Sequence, residues 1–131
     1  MDLKTFKTDP ELDQGAWIKL GDAEIKIARI GSPRYVAAST ARLKPHARSI
    51  ELGVITEAEA SKIEAELIAD FIVIDWKNVS LDGEALAYSR ANVLRALEIE
   101  VFRTWVKDQA RDLENFRLAE TKDAVAAVAK N

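Results

Sequence analysis

The stretch that decides the fold is AWIKL-GD-AEIKI, residues 16–27. Two segments of alternating apolar and polar residues flank a two-residue loop. Gly21 takes the first loop position, where the type II′ turn of a β-hairpin needs a positive φ angle. The stretch therefore predicts two short antiparallel strands.

The register of this hairpin is indicated by two independent patterns. Placing Leu20 opposite Ala23 collects the small and aliphatic side chains on one face, as strand pleating requires. The same register pairs Lys19 with Glu24 on the other face, where opposite charges contribute about 0.2–1 kcal/mol. It also places Trp17 on that charged face. Because an isolated two-stranded hairpin is marginal in water, we expect this one to pack on other elements.

The first helix after the hairpin is predicted from a start signal. Ser32 is typical of an N-cap, and Pro33 suits the first helical position because its missing N–H is not needed there. Pro45 either kinks this helix or begins a short second one that ends at Gly53.

A longer helix is predicted to follow. Thr56 and Glu59 have the spacing of a capping box. Apolar residues then recur at helical spacing as far as Ile74. This pattern predicts one helix from Thr56 to about Asn78.

Two more helices complete the pattern. Residues 80–83 predict a turn, and Ser89 is a candidate N-cap. A last apolar stripe, from Phe102 to Phe116, predicts another helix. Residues 98–100, between this helix and the one that begins at Ser89, are either a break or a continuous helical connection. The predicted fold is α+β and mostly α, with the N-terminal β-hairpin packed on a bundle of four to five helices.

The chain is expected to form a single domain with less ordered ends. Residues 1–15 are predicted as a loose N-terminal arm, or one that docks by a few contacts. Residues 16–119 form the globular domain, with the hairpin in 16–30 and helices from residue 32 onward. Residues 120–131 lack large side chains and are predicted to fray as a C-terminal tail.

Composition narrows the class of protein. The 131 residues include 19 Lys and Arg, 22 Asp and Glu, one His and no Cys, for a net charge of −3. A disulfide scaffold and a cysteine zinc site are thereby excluded. The longest apolar run, residues 71–74, is far shorter than the ~20 residues that span a bilayer. We expect no secretory leader and no membrane partner.

No catalytic site is visible in the sequence. His46 has no Ser or Cys partners for a triad, and no phosphate-binding or dinucleotide-binding glycine motif occurs. The acidic residues lie among Ala and Lys in the manner of solvated helix faces. We therefore expect a protein that is not an enzyme, with no catalytic residues, metal or cofactor.

Two binding functions remain open. Residues 29–48 are locally basic and could contact a phosphate backbone, but the overall acidic charge disfavours nucleic acid. Protein binding is the other class, because three tryptophans are many for a small domain and aromatic residues are enriched at interfaces. Trp17 is the strongest candidate, since the hairpin register leaves it on the charged face.

Several short motifs, taken in order, resemble a known family. They are the segment 69–79 with its Asp75-Trp76-x-x-Val79 ending, the turn segment Asp82-Gly83-x-x-Leu86-x-Tyr88-Ser89, and the closing Asn115-Phe116. Residues 16–35 are also similar to members of this family. Together they resemble the tail assembly chaperones of long-tailed bacteriophages with flexible tails. Ala87 departs from the pattern, because a proline usually precedes the aromatic residue and serine.

The resemblance implies a non-enzymatic assembly factor. Such a protein coats the helical tape-measure protein, keeps it soluble, recruits tail-tube subunits and leaves before the virion is complete. It would act in the cytoplasm of the bacterial host, and copies of it could associate along the tape measure. Another phage structural or connector protein is an alternative. The residues predicted to contact partners are Trp17, Trp76, Tyr88 and Phe116, and those that carry the family motif are Asp75, Trp76, Asp82, Gly83, Tyr88, Ser89, Asn115 and Phe116.

Overall fold

The structure, a computed structural model, describes residues 1–118 and is α+β and mostly α, as the sequence predicts. Within this range the strands are β1 (Ala16–Leu20), β2 (Ala23–Ile27), β3 (Val73–Lys77), β4 (Ser80–Leu81) and β5 (Glu84–Ala85). The α-helices are α1 (Pro10–Asp13), α2 (Pro33–Leu43), α3 (Ala47–Glu51), α4 (Glu57–Leu67), α5 (Arg90–Leu97) and α6 (Glu100–Arg111). No helix in the described range has the length and apolar character needed to cross a membrane.

The hairpin has the predicted register. Leu20 lies opposite Ala23, and Lys19 lies opposite Glu24. Gly21 has a φ of 63°, which a residue with a side chain rarely adopts. The φ angle of Gly21 and the pairing of the two strands therefore both agree with the register predicted from the sequence.

The predicted helix from Thr56 to Asn78 is wrong in its second half. Regular helix ends at Leu67, and a single π-helical turn, Ile68–Ile72, leads into strand β3. β3 pairs antiparallel with β2, so the sheet has the order β1-β2-β3. The apolar spacing alone could not distinguish these outcomes, because a short run of Phe, Ile and Val suits a buried strand as well as a helix.

Two features explain why the chain turns back here. Ile72 and Val73 are fully buried, and the amide of Ala28 donates to the Ile72 carbonyl over 2.8 Å. A strand at this position also satisfies the outer backbone groups of β2, which the hairpin alone would leave unpaired. Tertiary pairing thus outweighs the local helical pattern.

The predicted helix starts are confirmed. The hydroxyls of Ser32, Thr56 and Ser89 accept hydrogen bonds from the backbone amides of Tyr35, Glu59 and Asn92, at 3.3, 3.1 and 3.1 Å. Each caps the first turn of its helix.

The open questions about the helix breaks are also answered. Pro45 lies in a 3₁₀ turn, Lys44–His46, that separates α2 from α3. α3 then ends in a Schellman motif at Gly53, whose φ is 69°. Ile99 has an extended backbone and separates α5 from α6. The last helix is shorter than predicted, since it ends at Arg111 and a 3₁₀ turn, Leu113–Phe116, carries the rest of the stripe.

Part of the N-terminal arm docks on the domain. Asp13 forms an ion pair with Arg29 over 2.8 Å, and the Asp9 amide donates to the carbonyl of Phe116. Thr8 also forms an isolated β-bridge with Arg117. The ion pair joins the arm to the end of β2, and the other two contacts join it to the C-terminal end of the described chain. The predicted tail, 120–131, lies outside the described residues.

Asp70 joins three elements at the π-helical turn. Its carboxylate accepts from Arg42 of α2 over 2.9 Å and from Arg90 of α5 over 2.6 Å. The hydrogen bond from Arg90 is the main reason that the pKa of Asp70 lies below its usual value of 3.8, and the bond from Arg42 adds to the effect against the opposing effect of burial. The carboxylate therefore ties both helices to the turn.

We expect Asp70→Asn to lower the free energy of unfolding by about 1 kcal/mol at neutral pH, because the amide forms neither ion pair. A lowered folded-state pKa means that this contribution is complete above 3.8 and is lost as the pH falls through the folded-state pKa. Urea denaturation at neutral and at acidic pH measures the difference. Asp108→Asn, at an exposed position without a side-chain ion pair in residues 1–118, is the control. An equal loss in both variants would contradict this role of Asp70.

Candidate partner-binding surfaces

An apolar groove lies between α2, α3 and α4. The groove has a volume of about 360 Å³ and is open to solvent. Leu43 and Ile50 form a ridge, because both also line a second hollow between the end of α2 and α3. Ile50 is 44% exposed. We call this surface the apolar groove; its lining side chains are Tyr35, Leu43, Ile50, Ile55, Ala60, Ile63, Glu64 and Leu67.

The groove exists because α2 and α3 are incompletely covered. Neither helix has a buried residue, although α2 is amphipathic and α3 carries Ile50. The break at Pro45 and the Schellman motif at Gly53 make α3 a short arm beside α4. Leu52 and Val54, next to that motif, are also largely exposed. The result is an exposed apolar surface on α3 and the turns that connect it to α2 and α4.

Tyr35 provides a polar group at the inner end of the groove. Burial raises the pKa of its hydroxyl, and the nearby carboxylate of Glu64 raises it further, while Arg111 acts in the opposite direction. The hydroxyl is therefore neutral and able to donate a hydrogen bond at physiological pH. Glu64 also forms an ion pair with Lys107 of α6 over 3.1 Å. The groove thus combines an apolar floor with a few polar groups.

Trp17 lies on the solvent face of the sheet. Its side chain is 39% exposed, and the ammonium groups of Lys77 and Lys26 lie 4.2 and 5.9 Å from the ring centroid. These are cation–π distances. Trp17 is therefore available to a partner, and its position matches the predicted charged face.

Trp76 lies in the core instead. Only 5% of it is exposed, and its Nε1–H donates to the Leu86 carbonyl over 2.8 Å. Tyr88 contacts it edge to face, with the ring centroids 5.9 Å apart, and donates its hydroxyl to the Val73 carbonyl. These bonds hold residues 86–88 along the outer side of β3. Burial raises the pKa of the Tyr88 hydroxyl, and Asp75 and Asp70 raise it further, so this donor stays protonated.

Phe116 is also completely buried. The burial of Trp76 and Phe116 removes both from any surface of the folded chain, so the prediction that they contact a partner does not fit this conformation. Tyr88 remains 39% exposed. Trp17 and Tyr88 stay as predicted contact residues.

The other residues of the family motif have local structural roles. Asp82 and Gly83, with φ angles of 52° and 81°, form the tight turn between β4 and β5. Ser89 caps α5, and the Asp75 carboxylate accepts from the Trp76 amide. The Asn115 side chain donates to the Gln109 carbonyl over 2.9 Å, beyond the last turn of α6. The motif therefore marks turns and caps rather than one joint site.

Part of the positive charge of the basic segment 29–48 is paired within the fold. Arg29 is paired with Asp13, and Arg42 with Asp70. Arg34 and Arg42 also lie over the ring of Phe71, at 5.9 and 5.4 Å. Much of the local positive charge is thus engaged within the fold.

The described residues hold no group of three or more His, Cys, Asp or Glu side chains placed to bind a metal ion. The apolar groove was not predicted from the sequence. Leu43 and Ile50 carry the signal of an amphipathic helix, and such a stripe normally packs against a core. Only the three-dimensional arrangement reveals that residues 1–118 cover them incompletely, leaving Leu43 36% and Ile50 44% exposed.

These features define a small α+β protein with an open apolar groove. Residues 30–127 match the family model described as YdaY prophage protein. The chain therefore belongs to this family and is a prophage-type protein. No match was found among curated proteins, and none among solved structures.

The different burial of two tryptophans gives a stability test. Trp76→Phe should lower the free energy of unfolding by roughly 1–3 kcal/mol, because the Leu86 carbonyl loses its donor. Trp17→Ala should cost less than about 1 kcal/mol, since the side chain lies on the solvent face. Urea titrations followed by circular dichroism compare the two. A Trp17→Ala variant that unfolds would place Trp17 among the residues essential for the fold.

Proposed function

We propose that this prophage protein is a non-enzymatic tail assembly chaperone. It binds helical segments of the tape-measure protein in the apolar groove and keeps that protein soluble. It then recruits tail-tube subunits and leaves before the virion is complete, acting in the cytoplasm of the bacterial host. The observation that carries the proposal is the open groove with the Leu43–Ile50 ridge.

The groove has the features that helix binding requires. An amphipathic helix is recognised when its apolar face lies in a hydrophobic groove, with anchor side chains spaced one turn apart. The ridge divides the surface into two hollows, each bordered by helices, which suits two such anchors. The outer hollow carries a lysine and a glutamate, Lys44 and Glu51, at its edge. Those charges suit the polar flanks of a helix.

The modest size of the groove agrees with reversible coating. A surface of a few side chains gives weak binding for one copy, and many copies on one long rod gain avidity without tighter individual contacts. Weak contacts also permit release when tube subunits replace the chaperone. The net charge of −3 on each copy opposes collapse of the coated rod.

Co-expression with the tape-measure protein of the same prophage tests this function. The wild-type chain should raise the soluble yield of the tape-measure protein several-fold. Leu43→Glu combined with Ile50→Glu should abolish most of that gain, because it places two charges on the ridge. Soluble and pelleted fractions, quantified by gel, give the measurement.

Val101→Glu is the matched control, since Val101 is an 81% exposed apolar residue on α6, outside the groove. It should preserve the gain in solubility. Circular dichroism establishes that all variants are folded. If the ridge variant solubilises the tape-measure protein as well as the wild type does, the groove is not its binding site. If the wild-type chain gives no gain, the chaperone function itself is contradicted.

A further inference from the structure

The outer edge of β1 is open. β1 is an edge strand of the three-stranded sheet, and no strand in residues 1–118 pairs with its outer side. In a hairpin with a two-residue loop, the residues that flank the loop exchange hydrogen bonds. Leu20, Ile18 and Ala16 therefore bond to β2, while the backbone amides and carbonyls of Trp17 and Lys19 point outward.

The opposite edge of the sheet is partly occupied by residues 86–88. On the outer side of β3, the Tyr88 hydroxyl binds the Val73 carbonyl, and the Trp76 indole binds the Leu86 carbonyl. The 3₁₀ turn Leu113–Phe116 contacts β1, but among residues 1–118 no hydrogen bond joins it to the backbone of Trp17 or Lys19, and no proline interrupts the strand. Trp17 and Leu20 are 39% and 40% exposed. An edge with unpaired backbone groups and exposed apolar side chains is a template for another strand.

We propose that this edge pairs with β1 of a second copy of the chain, antiparallel and centred on Ile18. The sequence of the edge is self-complementary in this arrangement. Trp17 of each copy then lies opposite Lys19 of the other, which places a cation against an aromatic ring at both positions. A parallel alignment in register would place Lys19 beside Lys19, and like charges in that position are destabilising.

The hydrogen-bond phase agrees with this register. Residues whose backbone groups point outward must face each other to exchange hydrogen bonds. Trp17 and Lys19 meet that condition in both copies, giving four intermolecular backbone bonds. The two Ile18 residues form the central non-hydrogen-bonded pair, where the chains approach most closely. Only residues 17–19 are needed.

The charges on the solvent face continue across the junction without a clash. In one copy the row across the strands is Lys77, Glu24 and Lys19. It would continue in the second copy as Trp17, Lys26 and Asp75. Charges of opposite sign are direct neighbours within each copy, and the ring of Trp17 separates Lys19 of one copy from Lys26 of the other. That ring also has the ammonium of its own Lys77 at 4.2 Å. Glu24 beside Lys19 and Asp75 beside Lys26 offset the cations that meet at the ring. An unrelated extended peptide would need this same pattern, whereas a second copy already contains it.

A three-residue strand contact is small, so the dimer should be weak and should form in the micromolar to millimolar range. Sedimentation velocity over that concentration range should show a shift from monomer to dimer. Lys19→Pro should weaken the association at least about tenfold, because it removes an outward N–H while leaving the bonds to β2 in place. Lys19→Thr, which keeps that N–H and loses only the charge, should retain more of the association.

Amide hydrogen exchange gives a second measurement that needs no variant. The Trp17 and Lys19 amides should become more protected as the protein concentration rises, while other exposed amides stay unchanged. A monomer at all concentrations, association beyond two copies, or a dimer without protection at these two amides would overturn the proposal.

The dimer test is separate from the test of chaperone function, because it uses the purified chain alone. The Leu43→Glu, Ile50→Glu variant should dimerise normally, and Lys19→Pro leaves the groove unchanged. Loss of solubilisation with intact dimerisation would contradict only the role of the groove. Normal solubilisation by a monomeric chain would contradict only the β1 pairing.

Discussion

The pairing of β2 with β3 is the constraint on which the rest of the structure depends. It joins an N-terminal hairpin to a strand that follows α4 by one π-helical turn. Ile27, Ile72 and Val73 meet there with no exposed surface, so the junction is also the centre of the core. Without β3, the hairpin would have only two strands and would be marginally stable.

Both candidate surfaces follow from this arrangement. The turn into β3 ends α4 early and holds Asp70 where it binds Arg42 and Arg90, which fixes α2 and α5 beside it. The apolar groove is what remains open between α2, α3 and α4. The same pairing makes β2 the central strand, which leaves β1 as a free edge with Trp17 on its solvent face. The pairing of β2 with β3 therefore places the apolar groove and the free edge of β1 on different parts of the fold.

The sequence predicts those parts of the fold in which local chemistry and burial agree. Gly21 and the charge pair of Lys19 with Glu24 indicate one hairpin register, and the hydroxyls of Ser32 and Ser89 indicate helix starts. Residues 73–77 were predicted incorrectly, because their apolar spacing fits a helix and only the unpaired side of β2 favours a strand. Such a long-range preference is not visible in a local pattern.

The candidate site is less predictable than the fold, for a related reason. A periodic stripe identifies apolar side chains but does not show which of them a neighbouring element covers. Trp17 was expected on an exposed face because two cross-strand pairs fix its orientation. Trp76 and Phe116 carry the same aromatic signal, but they belong to the core. Leu43 and Ile50 show the opposite difference, since their sequence pattern is typical of core residues but both lie on the surface.

The most direct test of this account is a nuclear Overhauser measurement between β2 and β3. Ile25 and Trp76 lie opposite each other in a non-hydrogen-bonded pair, where antiparallel α-carbons are about 4.5 Å apart. The account predicts a strong signal between the α-protons of these two residues, with strand-type chemical shifts from Val73 to Lys77. Helical contacts between residues three positions apart through the same segment, without the Ile25–Trp76 signal, would contradict it.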